Sequence, residues 1–343
     1  MVQRPTIADL AAAAGVSVAT VNRVLSGSTP VRSETVERVS TAANLISFHA
    51  SGLIQSRQRN SLKAVSIGIL LQAPQDPFYQ LFTDELRIAL VNTPLFRASV
   101  NFDYWLTHDP DEIASRLQRL AKKADAVAMV SPDHPLIASA VSQIEADGTP
   151  VFTLLSDCAP AHRTAYIGVD NRRAGRMAGW TLSHCAREPG KIAILVGSHR
   201  FHGHELREIG LRSFLREHAP DFAVLETLVN DESMEKTETL LRDLLAETDD
   251  LVGVFLAGGG TAGAARITAS LPPERRLALV SNDAPTIARP MLMDGSLTMT
   301  IAERVSAIGA ELVQAVDEAT AKHKRSGPGQ RFVPFDLMTS ENV

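Results

Sequence analysis

The stretch Thr6-Ile-Ala-Asp-Leu-Ala-Ala-Ala-Ala-Gly-Val-Ser-Val-Ala-Thr-Val-Asn-Arg-Val-Leu-Ser26 decides how the first part of the chain folds. Thr6 can cap a helix, with Asp9 three residues on as its capping-box partner. Ile7, Leu10, Ala11 and Ala14 then recur at helical spacing on one face. Gly15-Val16-Ser17 breaks the pattern. Gly15 tolerates the positive φ of a tight turn, and Ser17 caps a second helix carrying Val18, Val21, Val24 and Leu25. Gly27-Ser-Thr-Pro30 ends that helix. Ser33 caps a third, with Val36, Val39, Ala43 and Leu45.

Two short helices in contact across such a turn need a small residue where they touch, and Ala11 meets that need. A helix-turn-helix of this kind sends the N-terminal residues of its second helix into the major groove of DNA. That turns Val18, Ala19 and Asn22 toward base edges, with Thr6, Ser17 and Thr20 as neighbouring candidate contacts. Arg23 either forks onto a guanine or clamps a phosphate. The alternative is a three-helix bundle that binds nothing. Gly15, Ala11 and the apolar positions satisfy the motif at once, which disfavours the bundle, and charge agrees: residues 1–60 hold six arginines, no lysine and three acids, hence +3, in a chain that totals −5, which leaves −8 for the rest. A basic head on an acidic body is the distribution expected when only the head meets phosphate.

The remaining numbers set bounds. With 343 residues, 45% hydrophobic and 21% charged, the chain has material for two or three globular domains. No apolar segment follows a basic start, so no secretory signal is expected. The longest apolar runs, such as 64–71, fall far short of the ~18 residues a membrane helix needs. Cys158 and Cys185 lack metal-site or redox spacing and read as buried, reduced thiols of a cytoplasmic protein. Residues 56–63 are polar and aperiodic and read as a linker.

From residue 64 the grain becomes alternating strand and helix. Candidate strands are 64–71, 97–104, 124–130, 150–155, 166–169, 191–196, 223–229, 251–257, 277–281 and 297–301. Short apolar strands without strict alternation mark parallel sheets covered on both faces. They are too many for one open sheet, so two α/β lobes are expected, with a ligand beyond the carboxyl ends of the strands.

The run from Thr6 to Ser26, followed by Val31-Arg-Ser-Glu-Thr35, closely resembles the headpiece of the lac repressor (LacI/GalR) family, and the strand–helix order after residue 64 resembles that family's periplasmic-binding-protein type I core. The resemblance covers nearly the whole chain. It implies an all-α helix-turn-helix headpiece and hinge over 1–60 and a two-lobed α/β effector-binding core with parallel sheets over 61–343. Lobe 1 would take about 64–166 and 302–328, and lobe 2 about 167–301 and 329–343. It also implies a homodimer or tetramer on a pseudo-palindromic operator, and a hinge helix that wedges a leucine into the minor groove. Here the tyrosine-X-proline-asparagine entry to the hinge reads Phe48-His-Ala-Ser51, Gly52 lies inside the segment, and Arg57 stands at the leucine position. Either Leu53 or Ile54 supplies the wedge, or Arg57 reads a narrow groove electrostatically.

Effector candidates come from loops after strands. Asp76-Pro-Phe-Tyr79 offers a carboxylate for hydroxyls and the rings of Phe78 and Tyr79 for C–H faces; sugar-binding relatives carry a similar segment. Asp170 and Asn171 read as helix caps. In Gly197-Ser-His-Arg-Phe-His-Gly-His-Glu-Leu-Arg207, the resemblance assigns Arg207 to the ligand, and His202 and His204 can donate to it. With His199 these make a histidine group, but no second cluster completes a zinc site. The resemblance also points to Asp283 and, more weakly, to Glu303; Asp157 follows another strand. Arg207 and Asp283 either converge on a ligand bearing vicinal hydroxyls or a carboxylate, or pair with each other across the cleft. Gly258-Gly-Gly260-Thr-Ala-Gly263 has the form G-x-G-x-x-G, with Asp283 twenty residues past Gly263. It reads as glycines that let backbone amides approach an effector, the alternative being a nucleotide-binding enzyme. The expectation is an allosteric regulator, in the main a repressor of transcription, controlled by a sugar-like metabolite, with no cofactor, metal, membrane or enzymatic activity. A transport receptor with the same core is the other alternative.

Overall fold

The computed structural model describes residues 4–27, 31–321 and 329–343. Two compact units divide the chain: one holds the N-terminal helices through Val65 together with Asn92–Ser99, the other holds the remainder.

The first unit is built from α1 (Ile7–Ala14), α2 (Val18–Ser26), α3 (Ser33–Leu45) and α4 (Ser51–Ser61). The local chemistry accounts for every boundary of the first two. The Thr6 hydroxyl accepts from the Asp9 amide, and the Asp9 carboxylate accepts from the Thr6 amide at 2.8 Å, closing the capping box. Gly15 then turns at φ 63°, and Ser17 accepts from the Thr20 amide at the start of α2. The two helices meet at a bend of 107°, within the range of helix-turn-helix pairs. Gly27 caps α2 at φ 63°; residues 28–30 of the expected stop lie outside the described residues. Arg38 on α3 donates to the carbonyls of Ala14 (2.8 Å) and Gly15 (2.9 Å), satisfying acceptors that a helix end leaves without partners. Leu10, Ala11, Ala14, Val21, Val24, Val39, Ala43, Phe48 and Ile54 form the core.

Residues 56–61 are helical, not a linker, because α4 runs on to Ser61. No proline interrupts it, and its Arg and Gln residues are good helix formers despite lacking an apolar stripe. Gly52 sits inside α4 without breaking it.

The two sheets belong to the second unit, save Ala64–Val65 of the first strand and Arg97–Ser99 of the second, which fall in the first. The first lobe comprises β1 (Ala64–Gln72), α5 (Pro77–Asn92), β2 (Arg97–Trp105), α6 (Pro110–Ala121), β3 (Ala126–Met129), α7 (Pro135–Ala146), β4 (Val151–Leu154) and β5 (Ala165–Gly168). The second lobe comprises α8 (Asn171–Cys185), β6 (Lys191–Val196), α9 (His202–His218), β7 (Ala223–Val224), β8 (Leu228–Val229), α10 (Met234–Glu247), β9 (Leu251–Leu256), α11 (Thr261–Ser270), β10 (Ala278–Ser281), α12 (Pro285–Met293) and β11 (Met299–Glu303). The chain then returns through α13 (Val305–Thr320), which packs on β5, and β12 (Gly329–Phe332), before ending with β13 (Phe335–Met338). The strand orders are β12-β5-β4-β3-β1-β2 and β13-β11-β10-β9-β6-β7, with β8 also on β6.

Four expectations change. Strand β12 pairs parallel with β5 in the first sheet, so residues 329–332 belong to lobe 1, and the last crossing falls after Phe332 rather than before residue 329. The second crossing falls after Glu303, since β11 extends that far. The single strand expected over 223–229 is two short ones on separate parts of β6. Cys158 is buried as expected, but Cys185, in the last turn of α8, is exposed. Residues 322–328 of the expected lobe 1 lie outside the described residues. No single helix among the described residues is long and apolar enough to cross a membrane.

Candidate functional site

On the helical unit, α2 turns Val21 and Val24 inward and leaves Ser17, Val18, Ala19, Asn22 and Arg23 exposed, with Thr20 partly so. Val18 is 46% exposed, high for a large apolar side chain beside a core. Arg23 lies back along its own helix, with Nε toward the Ala19 carbonyl and Nη2 toward Thr20 Oγ1, both at 3.4 Å. These contacts are long enough to be exchanged for a stronger acceptor. Thr6 is committed locally, its hydroxyl donating to Asp9 at 2.7 Å. Arg32 and Thr35, which the sequence reading passed over, line the same shallow concavity as Ser17, Thr20 and Arg23. In α4, Leu53 is 48% exposed, whereas Ile54 is fully buried in the headpiece core. Ile54 is therefore the residue that anchors α4, which leaves Leu53 as the apolar candidate for a wedge. The Arg57 side chain lies outside the described ones.

The second site is a cavity of about 370 Å³ in the two-sheet unit. Asp76, Phe78, Tyr79, His204, Arg207, Asp283 and Glu303 all line it, joined by Gln72, Glu232, Thr261 and Asn282. Nearly all these residues follow or end strands, at the carboxyl edge where such sheets bind ligands. Asp76 is held by the start of α5, accepting from the amides of Phe78 (2.8 Å) and Tyr79 (3.3 Å).

Two candidates do not reach the cavity. Asp157 is buried in a bidentate pair with Arg163 (2.6 and 2.8 Å) and accepts from Thr153. His202 lies outward, its Nδ1 3.2 Å from Glu205. The alternative pairing of Arg207 with Asp283 is absent. The Arg207 Nε donates to Asn171 Oδ1 at 2.7 Å, its Nη1 to the Ala257 carbonyl at 2.9 Å, and its Nη2 to Glu303. Asn171 opens α8 as read, but its side chain serves this guanidinium, while Asp170 alone makes the cap. Arg207 can lie this close because α8 and α9 touch backbone to backbone: a Cβ on Gly175 would sit 1.9 Å from the Arg207 carbonyl oxygen.

The glycine run also has a steric reason. A Cβ on Gly258 would lie 2.7 Å from His204, and one on Gly260 2.4 Å from Thr237. These glycines make room for the protein's own side chains, so the G-x-G-x-x-G form does not imply a nucleotide here. Among the described residues no group of three His, Cys, Asp or Glu could hold a metal ion.

Glu232 was missed in the sequence. It ends a turn in which Asp231 (φ 52°) and Glu232 (φ 58°) are both left-handed, a conformation that costs non-glycine residues energy and clusters at functional sites. Its carboxylate accepts from Gln72 Nε2 at 3.0 Å, a bond from the second lobe to the first. Gln72 also lies 2.6 Å from the Tyr79 hydroxyl. Only its position after a strand could have signalled Glu232.

Burial dominates the electrostatics. It raises Glu232 to about 7, helped by nearby Asp76, and Asp283 to about 6. Glu303 is raised by burial against the pull of Arg207. His204 is lowered to about 3 by burial and then by Arg207, so it is neutral at ordinary pH. Four buried side-chain atoms among the described residues lack a well-formed hydrogen bond: Asn282 Oδ1 and Glu303 Oε2 have no partner, Thr261 Oγ1 stands by the Asp283 carboxylate, and His204 Nδ1 has only the Ser198 backbone near its ring. All four belong to residues lining this cavity.

Residues 6–51 match the family model described as bacterial regulatory proteins, lacI family, and residues 96–324 match the periplasmic binding protein domain. The sucrose operon repressor of Streptococcus mutans is 26% identical over 75% of this chain and 74% of its own length. The ribose import binding protein RbsB of Escherichia coli is 24% identical over 67% of this chain and 76% of its own. Among solved structures, an ABC transporter solute-binding protein from Agrobacterium vitis, bound with α-D-tagatopyranose, superimposes with a TM-score of 0.72 at 22% identity. It covers 81% of this chain and 96% of that one.

Proposed function

The chain belongs to the lacI family of bacterial regulatory proteins, with a periplasmic binding protein domain as its core, and from that premise we propose that it is a transcriptional repressor whose operator affinity is set by a sugar-like effector. The observation that carries the effector half is the pair of buried polar atoms, Asn282 Oδ1 and Glu303 Oε2, left without a partner beside the cavity. Buried polar groups are paired in folded proteins, and a cavity that collects the exceptions is built to receive donors and acceptors from a ligand. The aromatic rings of Phe78 and Phe201 line the same cavity and supply an apolar face for C–H groups. The protein acts in the cytoplasm as a dimer or tetramer on a pseudo-palindromic operator. The exposed face of α2 enters the major groove, with Val18, Ala19 and Asn22 at base edges, and Leu53 or Arg57 engages the minor groove. Effector binding between the lobes alters their closure and is coupled to operator affinity by roughly 1–3 kcal/mol, a typical linkage of this kind.

The test is direct. An operator is selected from random duplexes with the full chain, and its affinity is measured by fluorescence anisotropy with and without monosaccharides, alditols and sugar derivatives. At least one is expected to move operator affinity by about 5–150-fold. An affinity that none of them moves overturns the effector reading while leaving DNA binding intact.

A further inference from the structure

Four carboxylates line the cavity, those of Asp76, Glu232, Asp283 and Glu303, and Arg207 is the one guanidinium among the lining residues. That guanidinium is spent. Its charge faces Glu303, and its other donors are taken by Asn171 and Ala257. The nearest basic group to Glu232 is His204, at 3.7 Å, which burial keeps neutral. Among the described residues Asp76, Glu232 and Asp283 have no lysine or arginine partner in the ion pairs formed. Each is held by other contacts: Asp76 by the amides of Phe78 and Tyr79, Glu232 by Gln72 and the Gly259 backbone, Asp283 by the Ala284 amide at 2.9 Å and the Thr261 hydroxyl. They come from different loops and belong to both lobes.

Glu232 is also expensively placed. A Cβ on Gly197 would lie 2.4 Å from its Cγ, and one on Gly259 3.0 Å from its Cβ. Two glycines and a pair of left-handed residues are thus arranged around a carboxylate with no cationic partner. The built character of the site does not rest on the acids alone. Glu303 and Asn282 are 7% and 9% exposed, and each holds one atom without a partner. A metal does not fit, because no group of three possible ligands converges. An anionic ligand does not fit either, since it would meet three unpaired carboxylates and no free guanidinium.

We propose that the effector is a small cationic polyol, an amino sugar or amino alditol, with its ammonium beside Asp76 and paired to Glu232 or Asp283, and its hydroxyls meeting Asn282, Thr261, His204 and Glu303. This rests on the sugar-like effector reading and names its chemical class. A volume of about 370 Å³ corresponds to roughly a dozen waters at ~30 Å³ each, enough for one monosaccharide-sized ligand.

The experiment uses matched sets on the full chain by isothermal titration: D-glucosamine, D-glucose and D-gluconate; D-galactosamine, D-galactose and D-galacturonate; D-glucamine and D-sorbitol. In each set that binds, the amine is expected to lead its neutral parent by about ten-fold or more, with the acid weakest. Glu232→Gln should narrow that lead, and Asp283→Asn serves the same purpose should Glu232→Gln not fold. A neutral parent or an acid binding as tightly as its amine overturns the charge assignment and leaves the sugar-like effector standing. An amine lead that neither variant alters overturns the seat. If no member of any set binds, the polyol reading fails, and this one with it.

Discussion

Replacing Glu232 by Gln should stabilise the unliganded protein at alkaline pH and leave it unchanged at acid pH. The folded carboxyl ionises at about 7 instead of its ordinary 4.5, first because burial penalises the charge and then because Asp76 stands near. Below 4.5 the carboxyl is protonated in both folded and unfolded chains and contributes nothing. As pH rises from 4.5 to 7 the unfolded chain releases its proton while the folded one keeps it, so the penalty grows, and above 7 it is complete. At about 1.4 kcal/mol per tenfold in the ionisation constant, the full difference is about 3 kcal/mol. The Glu232 side chain is 31% exposed to the cavity, and screening by cavity water reduces this to about 1–2 kcal/mol. Gln keeps the shape and can still bond Gln72. The variant should therefore melt roughly 2–8 °C above wild type at pH 8 and within a degree of it at pH 4.5. His204, lowered to about 3, stays neutral over this range, and Asp283 titrates in both proteins and cancels in the comparison to first order. A variant that melts at or below wild type at pH 8, or gains equally at both pH values, refutes the reasoning.

The remaining predictions concern the buried pair and the DNA face. Arg207→Ala strands Glu303 as an unpaired buried carboxylate and should cost about 3–5 kcal/mol in urea unfolding, whereas Asp283→Asn should melt no lower than wild type yet blunt the effector's effect on operator binding; equal stability of the two would contradict the bridge. Arg23→Ala should lose about 1–3 kcal/mol on the selected operator and little on random DNA, while equal losses on both would make it a phosphate clamp. Leu53→Ser should reduce operator bending, read by fluorescence transfer between labelled DNA ends, with little change in headpiece melting. Ile54→Ser should lower the melting temperature instead, because Ile54 is fully buried.

The headpiece was legible because its information is local. Thr6 finds Asp9, Ser17 finds Thr20, and Gly15 turns within a few residues of both, so spacing alone encodes the caps, the turn and the exposed face of α2. The alternation after residue 64 was legible for the same reason, since short apolar strands and amphipathic helices are written in neighbouring residues. Local reading failed where a segment's partners were distant. The helix α4 lacks an apolar stripe, and among its described side chains Ile54 is the one fully buried, so its polar end read as linker. Strand β12, Gly-Gln-Arg-Phe, has no strand pattern of its own and exists because β5, over 150 residues earlier, offers an edge. The cavity depended on such contacts throughout. Arg207 meets Glu303 across 96 positions and Glu232 meets Gln72 across 160. The sequence by itself determined which residue types stand at the carboxyl ends of the strands. Only the tertiary structure decided that Arg207 is committed to Glu303, that Asp157 is committed to Arg163, and that Glu232 is left lining the cavity without a lysine or arginine partner. A charge is neutralised or left exposed by whatever lies within a few ångströms of it, and those neighbours are set by the packing of two lobes, not by the order of residues along the chain.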